Sequence, residues 1–358
     1  MKQSLYVLAF VAAGAGLIAQ GGGAMNPEMK AAIQKQLDLE KQTPRLQVAE
    51  EVLPLMIPGH TIGEAVGVAK NSKGSLFVFT RSGATGPAKG STASQLFEFD
   101  RTLKFVKQWG PDNYASSFAH TVRVDKDDNV WMVDEGSNMV VKFNPEGRVI
   151  LVLGRKPEAI DYLEQFTEEG HVEKETPPAR PGVFNRPTDV TWDTQGNIFV
   201  SDGYNNSRLV KFSKDGTWVG AIGERGSAPN QFNTPHGITN DAKGNIYVAD
   251  RGNRRVQVFD PNLKPVRIIT GMGAPWSVCT TQGPTQYLFS GDGNGKIYKF
   301  DLDGKLLGWA QTGLGHGQSG CLVHELHCES DTVIYKGDCS TWTVEKITIK
   351  GVDSSSGQ

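Results

Sequence analysis

NRPTDVTWDTQGNIFVSDGYNNSRLVKF (Asn185 to Phe212) and NTPHGITNDAKGNIYVADRGNRRVQVFD (Asn233 to Asp260) are two copies of one unit, with Pro187 over Pro235, the Gly196-Asn197 turn over Gly244-Asn245, and Asp202 over Asp250. The period falls in the range of roughly forty to fifty residues that marks propellers and repeat arrays. Each copy holds short runs rich in β-branched and aromatic residues, separated by a Gly-Asn turn and a polar loop, the pattern of antiparallel strands in one blade of sheet. A single blade cannot bury both faces, so the unit must recur.

It recurs in both directions. Towards the N-terminus lie HTVRVDKDDNVWMVDEGSNMVVKFN (His120 to Asn144) and VGVAKNSKGSLFVFTRSG (Val66 to Gly83), the latter completed by QLFEFD. Towards the C-terminus lie PWSVCTTQGPTQYLFSGDGNGKIYKFD (Pro275 to Asp301) and VHELHCESDTVIYKGDCSTWTVEKI (Val323 to Ile347). Six such units without a helical pattern between them predict an all-β, six-bladed β-propeller over residues 48–350, because closing the ring removes the sheet edges that a linear stack would expose. Val48 to Ile57 reads as a spare strand that can complete the sixth blade from outside. Residues 154–184, with four prolines and several charges, read as a long surface loop between blades two and three.

The flanks carry other signals. Residues 1–24, a short cationic start, an apolar run and small residues, are expected to be a secretory signal peptide, which places the protein outside the cytoplasm as secreted or periplasmic, with no membrane span once removed. Residues 25–47 are polar with a weak helical period and predict a leader helix or flexible arm, and residues 351–358 a disordered tail. With 37 basic against 39 acidic residues there is no basic stripe, which argues against a nucleic-acid partner. Cys279, Cys321, Cys328 and Cys339 cluster near the C-terminus with no zinc-binding spacing. In an oxidising compartment at least one disulfide is expected in the last repeat, the pairing staying open.

Superposing the repeats on the residue that opens each inner strand gives Val66, His120, Thr188, His236, Trp276 and His324. Histidine occupies every second blade, although the chain holds only 7. In a six-fold ring that pattern directs three imidazoles at one point on the axis, a three-histidine set that zinc accepts while keeping a position open. His60, His171, His316 and His327 fall outside the register. Fifteen residues on, at the end of the next strand, stand Arg81 and Arg251, with Tyr204 one residue past the equivalent Gly203. Two guanidiniums suit a carboxylate-bearing small molecule or peptide as substrate. A phenol beside cations could have its pKa lowered enough to serve as a base.

These residues resemble a known family. From Val66 to the end of the sixth blade, with VSDGYNNSRLVKFS, GVAKNSKGSLFVFTR and the AHTV, TPHG and VHEL openings, the chain resembles NHL-repeat propellers, specifically the peptidyl-α-hydroxyglycine α-amidating lyases. The resemblance implies zinc on His120, His236 and His324. It implies a structural calcium held by the carbonyls of Val68 and Val122 and the carboxylate of Glu325. It also implies a catalytic Tyr204, Arg81 as a catalytic and substrate-binding residue, and Arg251 as a substrate-binding residue. The reaction implied is cleavage of a carbinolamide C–N bond to an amide and glyoxylate, by a monomer. Departures are Glu325 where the family has aspartate, Asn205 where animal members have a disulfide cysteine, and no counterpart in this sequence to the copper monooxygenase domain that usually supplies the substrate. Other classes that such a ring can serve are a different metal-dependent enzyme, lactonase-like or a small-molecule lyase, and a non-catalytic NHL-repeat binding module.

Overall fold

The computed structural model describes residues 26–81, 94–156, 179–313 and 320–353; residues 1–24, most of the loop between blades two and three, His171 and His316 therefore lie outside the described residues. Six four-stranded antiparallel sheets form the blades of a six-bladed β-propeller. The inner strands, in ring order, are Glu64–Lys70, Ala119–Val124, Asp189–Trp192, Pro235–Asn240, Pro275–Thr280 and Glu325–Cys328.

The ring closes through the N-terminal strand, Leu46–Val52, which pairs antiparallel with Thr343–Val352 as the outer strand of the sixth blade. It starts before and stops short of the span read as Val48 to Ile57. The helix Pro27–Gln42 ends ahead of Pro44, freeing Leu46 to pair, and Pro54 has no N–H with which to continue the ladder. Of the tail read as disordered from residue 351, Gly351 and Val352 instead pair with Gln47 and Leu46, and residues 354–358 lie outside the described residues. The leader forms the helix Pro27–Gln42, whose buried Gln36 and Glu40 meet the Tyr298 hydroxyl at 2.9 and 2.7 Å. No helix among the described residues is long and apolar enough to cross a membrane.

Why these residues make blades is visible in the repeat itself. Asp193 accepts from the backbone N–H of Gln195 and Asn197, each at 2.9 Å, and Asp241 does the same for Lys243 and Asn245. The intervening Gly196 and Gly244 sit at φ +83°, where a glycine costs least. Asp202 and Asp250 end the second strand and accept from Asn185 N and Asn233 N at 2.9 and 2.7 Å, fixing the loop that leads into their own inner strand. The core is correspondingly divided. Among the described residues six apolar clusters form, one at each blade-to-blade interface, filled by side chains such as Phe77, Phe79, Trp131, Phe199, Tyr247 and Phe289. Cys279–Cys328 ties the inner strands of blades five and six, and Cys321–Cys339 closes a loop within blade six.

Candidate metal centre

The ladder between the first and second strands slips at the opening of the inner strand, between Ala65 and Gly67, Ala119 and Thr121, Pro235 and Ile238, and Pro275 and Ser277. A bulge re-aims side chains and lets two successive residues serve one face. This explains how the opening residue and its successor both address the axis. One tier is Val66, His120, Thr188, His236, Trp276, His324; the next is Gly67, Thr121, Asp189, Gly237, Ser277, Glu325. Glycine stands in the second tier where strands come closest: a Cβ on Gly67 would lie 2.6 Å from Val122 N, and one on Gly237 2.8 Å from Ser277 Cα.

His120, His236 and His324 meet on the axis, with a potential ligand atom from each lying within 4.8 Å of the others. Their ring centroids are 4.5 to 5.2 Å apart. Each is at most 2% exposed. His236 Nδ1 bonds the carbonyl of Trp276 at 2.6 Å and His324 Nδ1 that of Val66 at 2.7 Å. With Nδ1–H donating to a carbonyl, the Nε2 lone pair is left for another partner, the usual arrangement behind metal-binding imidazoles. His120 lies beside the Thr188 backbone, the equivalent neighbour, but neither of its ring nitrogens has a normal hydrogen bond. Burial first, then nearby arginines and, for His120 and His236, neighbouring histidines, holds all three rings well below the usual histidine range, which favours the neutral imidazole. Three buried imidazoles, two with Nδ1 tied to a carbonyl and the third with orphaned ring nitrogens, are a donor set that fits zinc. His327 stands apart, against the Tyr335 ring at 6.3 Å.

The rim adds charge on one side. The Tyr204 hydroxyl is 3.3 Å from His236 Nε2, and Arg251 Nη1 is 3.4 Å from the same hydroxyl. Arg251 also lies over the Trp276 ring at 4.4 Å. Arg81 is tethered to the entry of blade two, its Nε donating to Ala119 O at 2.8 Å and its guanidinium 3.8 Å from the Phe118 ring centroid. Burial pushes the Tyr204 phenol above its usual range and Arg251 only partly offsets this, so the lowering expected from nearby cations alone does not occur.

Two further residues belong to the site. Glu135, 2% exposed, places Oε2 4.0 Å from His120 Nε2 and pairs with Arg186. Arg186 in turn lies over the Tyr204 ring at 4.7 Å. Glu135 occupies in blade two the same register as Arg81 and Arg251, so superposition of the repeats could have found it. Gly203 fills that register in blade three because nothing larger fits: a Cβ there would stand 2.4 Å from Pro235 O and 2.6 Å from Thr188 Cγ2. Gly203→Ala is expected to cost about 1–3 kcal/mol in chemical denaturation and to displace the adjoining Tyr204; an unchanged unfolding midpoint would show that the strand end yields freely.

Below the histidines, Glu325 is fully engaged. Its Oε1 takes Ser277 Oγ at 2.7 Å, Leu326 N at 3.0 Å and Arg123 Nη2 at 2.8 Å, while Oε2 takes the Thr121 hydroxyl. Burial pushes its pKa up to about 7, with Arg123 opposing. Val68 and Val122 lie on the inner strands of blades one and two, with side chains in the adjoining cores.

Comparison with known proteins agrees with this architecture. The NHL repeat family matches residues 184–212 and 232–259. A probable peptidyl-alpha-hydroxyglycine alpha-amidating lyase of Caenorhabditis elegans is 28% identical over 186 residues, covering 48% of this chain and 47% of that protein. Peptidylglycine alpha-amidating monooxygenase of Rattus norvegicus is 27% identical over 320 residues, covering 80% of this chain but 30% of the rat protein. The chain thus carries NHL repeats and is homologous to amidating lyases, while spanning about half or less of these relatives. Virginiamycin B lyase from Staphylococcus aureus superposes with a TM-score of 0.56 at 12% identity, over 85% of this chain and 100% of that one, a likeness of fold.

Proposed function

We propose that this protein is a zinc-dependent lyase that cleaves the C–N bond of an α-hydroxyglycine-type carbinolamide, releasing an amide and glyoxylate. The observation that carries the reading is the meeting of His120, His236 and His324 on the axis directly beside the Tyr204 hydroxyl and Arg251. Zinc held by the three histidines would supply a Lewis acid that makes the substrate hydroxyl more acidic.

The chain's own residues do the rest. Arg251 and Arg81 offer guanidiniums to the substrate carboxylate, and the planar fork fixes its orientation as well as its charge. Arg81 is held by Ala119 O and Arg251 by the Trp276 face, so both are positioned before substrate arrives. Tyr204, as phenolate, accepts the hydroxyl proton; the oxygen's electron pair closes a C=O bond, the C–N bond breaks, and the amide nitrogen takes up a proton. No water is consumed. Arg251 over the Tyr204 ring favours its anionic form, but burial outweighs it and holds the phenol above its usual range, so turnover by this route should rise with pH.

Incubating the zinc-loaded protein with α-hydroxyhippurate should release glyoxylate and benzamide in equal amounts. Release no faster than from the metal-stripped protein would sink the reading.

A further inference from the structure

The carboxylate that the family resemblance assigns to an axial calcium does not fit that role in this chain. Both Glu325 oxygens are already bonded, and a guanidinium stands among them. Arg123, three residues past His120, reaches across the axis. Its Nε donates to Asp189 Oδ1 at 2.9 Å and Nη2 pairs with Asp189 Oδ2, a bidentate fork on the second-tier carboxylate of blade three. The same Nη2 meets Glu325 Oε1 at 2.8 Å, and Nη1 donates to Leu326 O at 3.1 Å, both in blade six. Asp189 also accepts from Ile238 N at 2.8 Å, which brings in blade four.

These contacts have a shared address. Arg123 and Thr121 are on the inner strand that carries His120. Ile238 follows His236 by two residues, and Glu325 and Leu326 follow His324. One guanidinium and the carboxylates it holds therefore lash together the three strands that bear the histidines. A divalent ion on the axis would do the same through oxygen ligands; a guanidinium does it through N–H donors and with fixed charge at any working pH. The Thr121 and Ser277 hydroxyls and the Val190, Ile238 and Leu326 amides donate to whatever negative charge one guanidinium leaves on the two carboxyl groups.

We infer that Arg123, with Asp189 and Glu325, replaces the axial calcium in this chain as the positioning element of the histidine triad, making the protein calcium-independent. The positioning half rests on the triad being the zinc site; the calcium half does not. After dialysis against metal-free buffer, the wild-type protein should hold no stoichiometric calcium, and its Tm should not move on adding millimolar calcium. One retained calcium per chain, or a rise in Tm with calcium, would overturn the inference.

Arg123→Met, which removes the cation and leaves both carboxylates, should lower Tm by about 5–10 °C and weaken zinc binding, measured by competition with a chromogenic chelator, by about 10–100-fold. Millimolar calcium should restore a large part of both losses. Unchanged zinc affinity in a folded Arg123→Met protein, or losses that calcium leaves in place, would equally count against it. If the variant folds under neither condition, the wild-type calcium content and thermal shift decide. A wild type that binds no zinc would defeat the lyase reading while leaving the calcium test standing.

Discussion

His236→Ala is expected to reduce glyoxylate release by about a thousandfold or more and to abolish stoichiometric zinc. The size follows from what the residue touches. His236 contributes one of three potential ligand nitrogens on the axis, its Nδ1 is fixed by Trp276 O, and its Nε2 faces the Tyr204 hydroxyl. Losing it would remove one of the three proposed zinc donors and leave the Tyr204 hydroxyl with Arg251 alone. A Lewis-acid contribution of several kcal/mol, at about 1.4 kcal/mol per factor of ten, gives that loss. Stability should move much less, because the ring stands in the polar channel and none of the six inter-blade clusters contains it. The decisive measurements are metal analysis after dialysis and steady-state kinetics on the same sample. A variant that keeps one zinc and wild-type kcat/KM would show that the triad is not the metal centre.

That the triad is legible in the sequence follows from how a propeller is built. Blades three and four repeat the same turn chemistry, Asp193 with Gly196 and Asp241 with Gly244, so one register becomes one height on the axis, and blade five departs only by two extra residues in that turn, Pro275 pairing with Asp292 where Pro235 pairs with Asp250. Differences between copies, such as Thr188 against His236, then stand out as departures from a shared scaffold. Arg251 was legible in the same way, and Glu135 lies in that very register. A carboxylate is neither the guanidinium fork nor the phenol that a carboxylate-bearing substrate calls for, so its residue type gives no signal of its own. Arg186 lies two residues before the opening position, in a loop whose course depends on its own positive φ of 65° and on Asn138 Oδ1 taking its N–H at 2.7 Å.

Arg123 was beyond reach for a different reason. Its chief partner, Asp189, is 66 residues away, and Leu326 is 203 away; only ring closure puts blades two, three and six face to face. The sign of the Tyr204 shift was also hidden. Nearby cations lower a phenol's pKa and burial raises it, and a sequence displays the cations but not the depth at which the ring is held.

That balance makes Tyr204→Phe the sharper test of mechanism. The substitution keeps the ring, so the stacking with Arg186 at 4.7 Å and Arg251 at 5.2 Å can persist, and removes only the hydroxyl that sits 3.3 Å from His236 Nε2. If Tyr204 takes the hydroxyl proton, kcat should fall by about 10²–10⁴-fold, the usual worth of a positioned proton-transfer group. KM should stay within a few-fold, because the proposal gives carboxylate binding to Arg81 and Arg251, and zinc content should be unchanged, because the hydroxyl is not among the three proposed donors. This pattern differs from that of His236→Ala, in which zinc and turnover disappear together. A Tyr204→Phe protein with full kcat would transfer the proton-accepting role elsewhere. Glu135 would be the next group to replace, since its buried carboxylate lies 4.0 Å from His120 Nε2 and pairs with Arg186, which lies over the Tyr204 ring. A loss confined to KM would instead place Tyr204 among the substrate-holding residues.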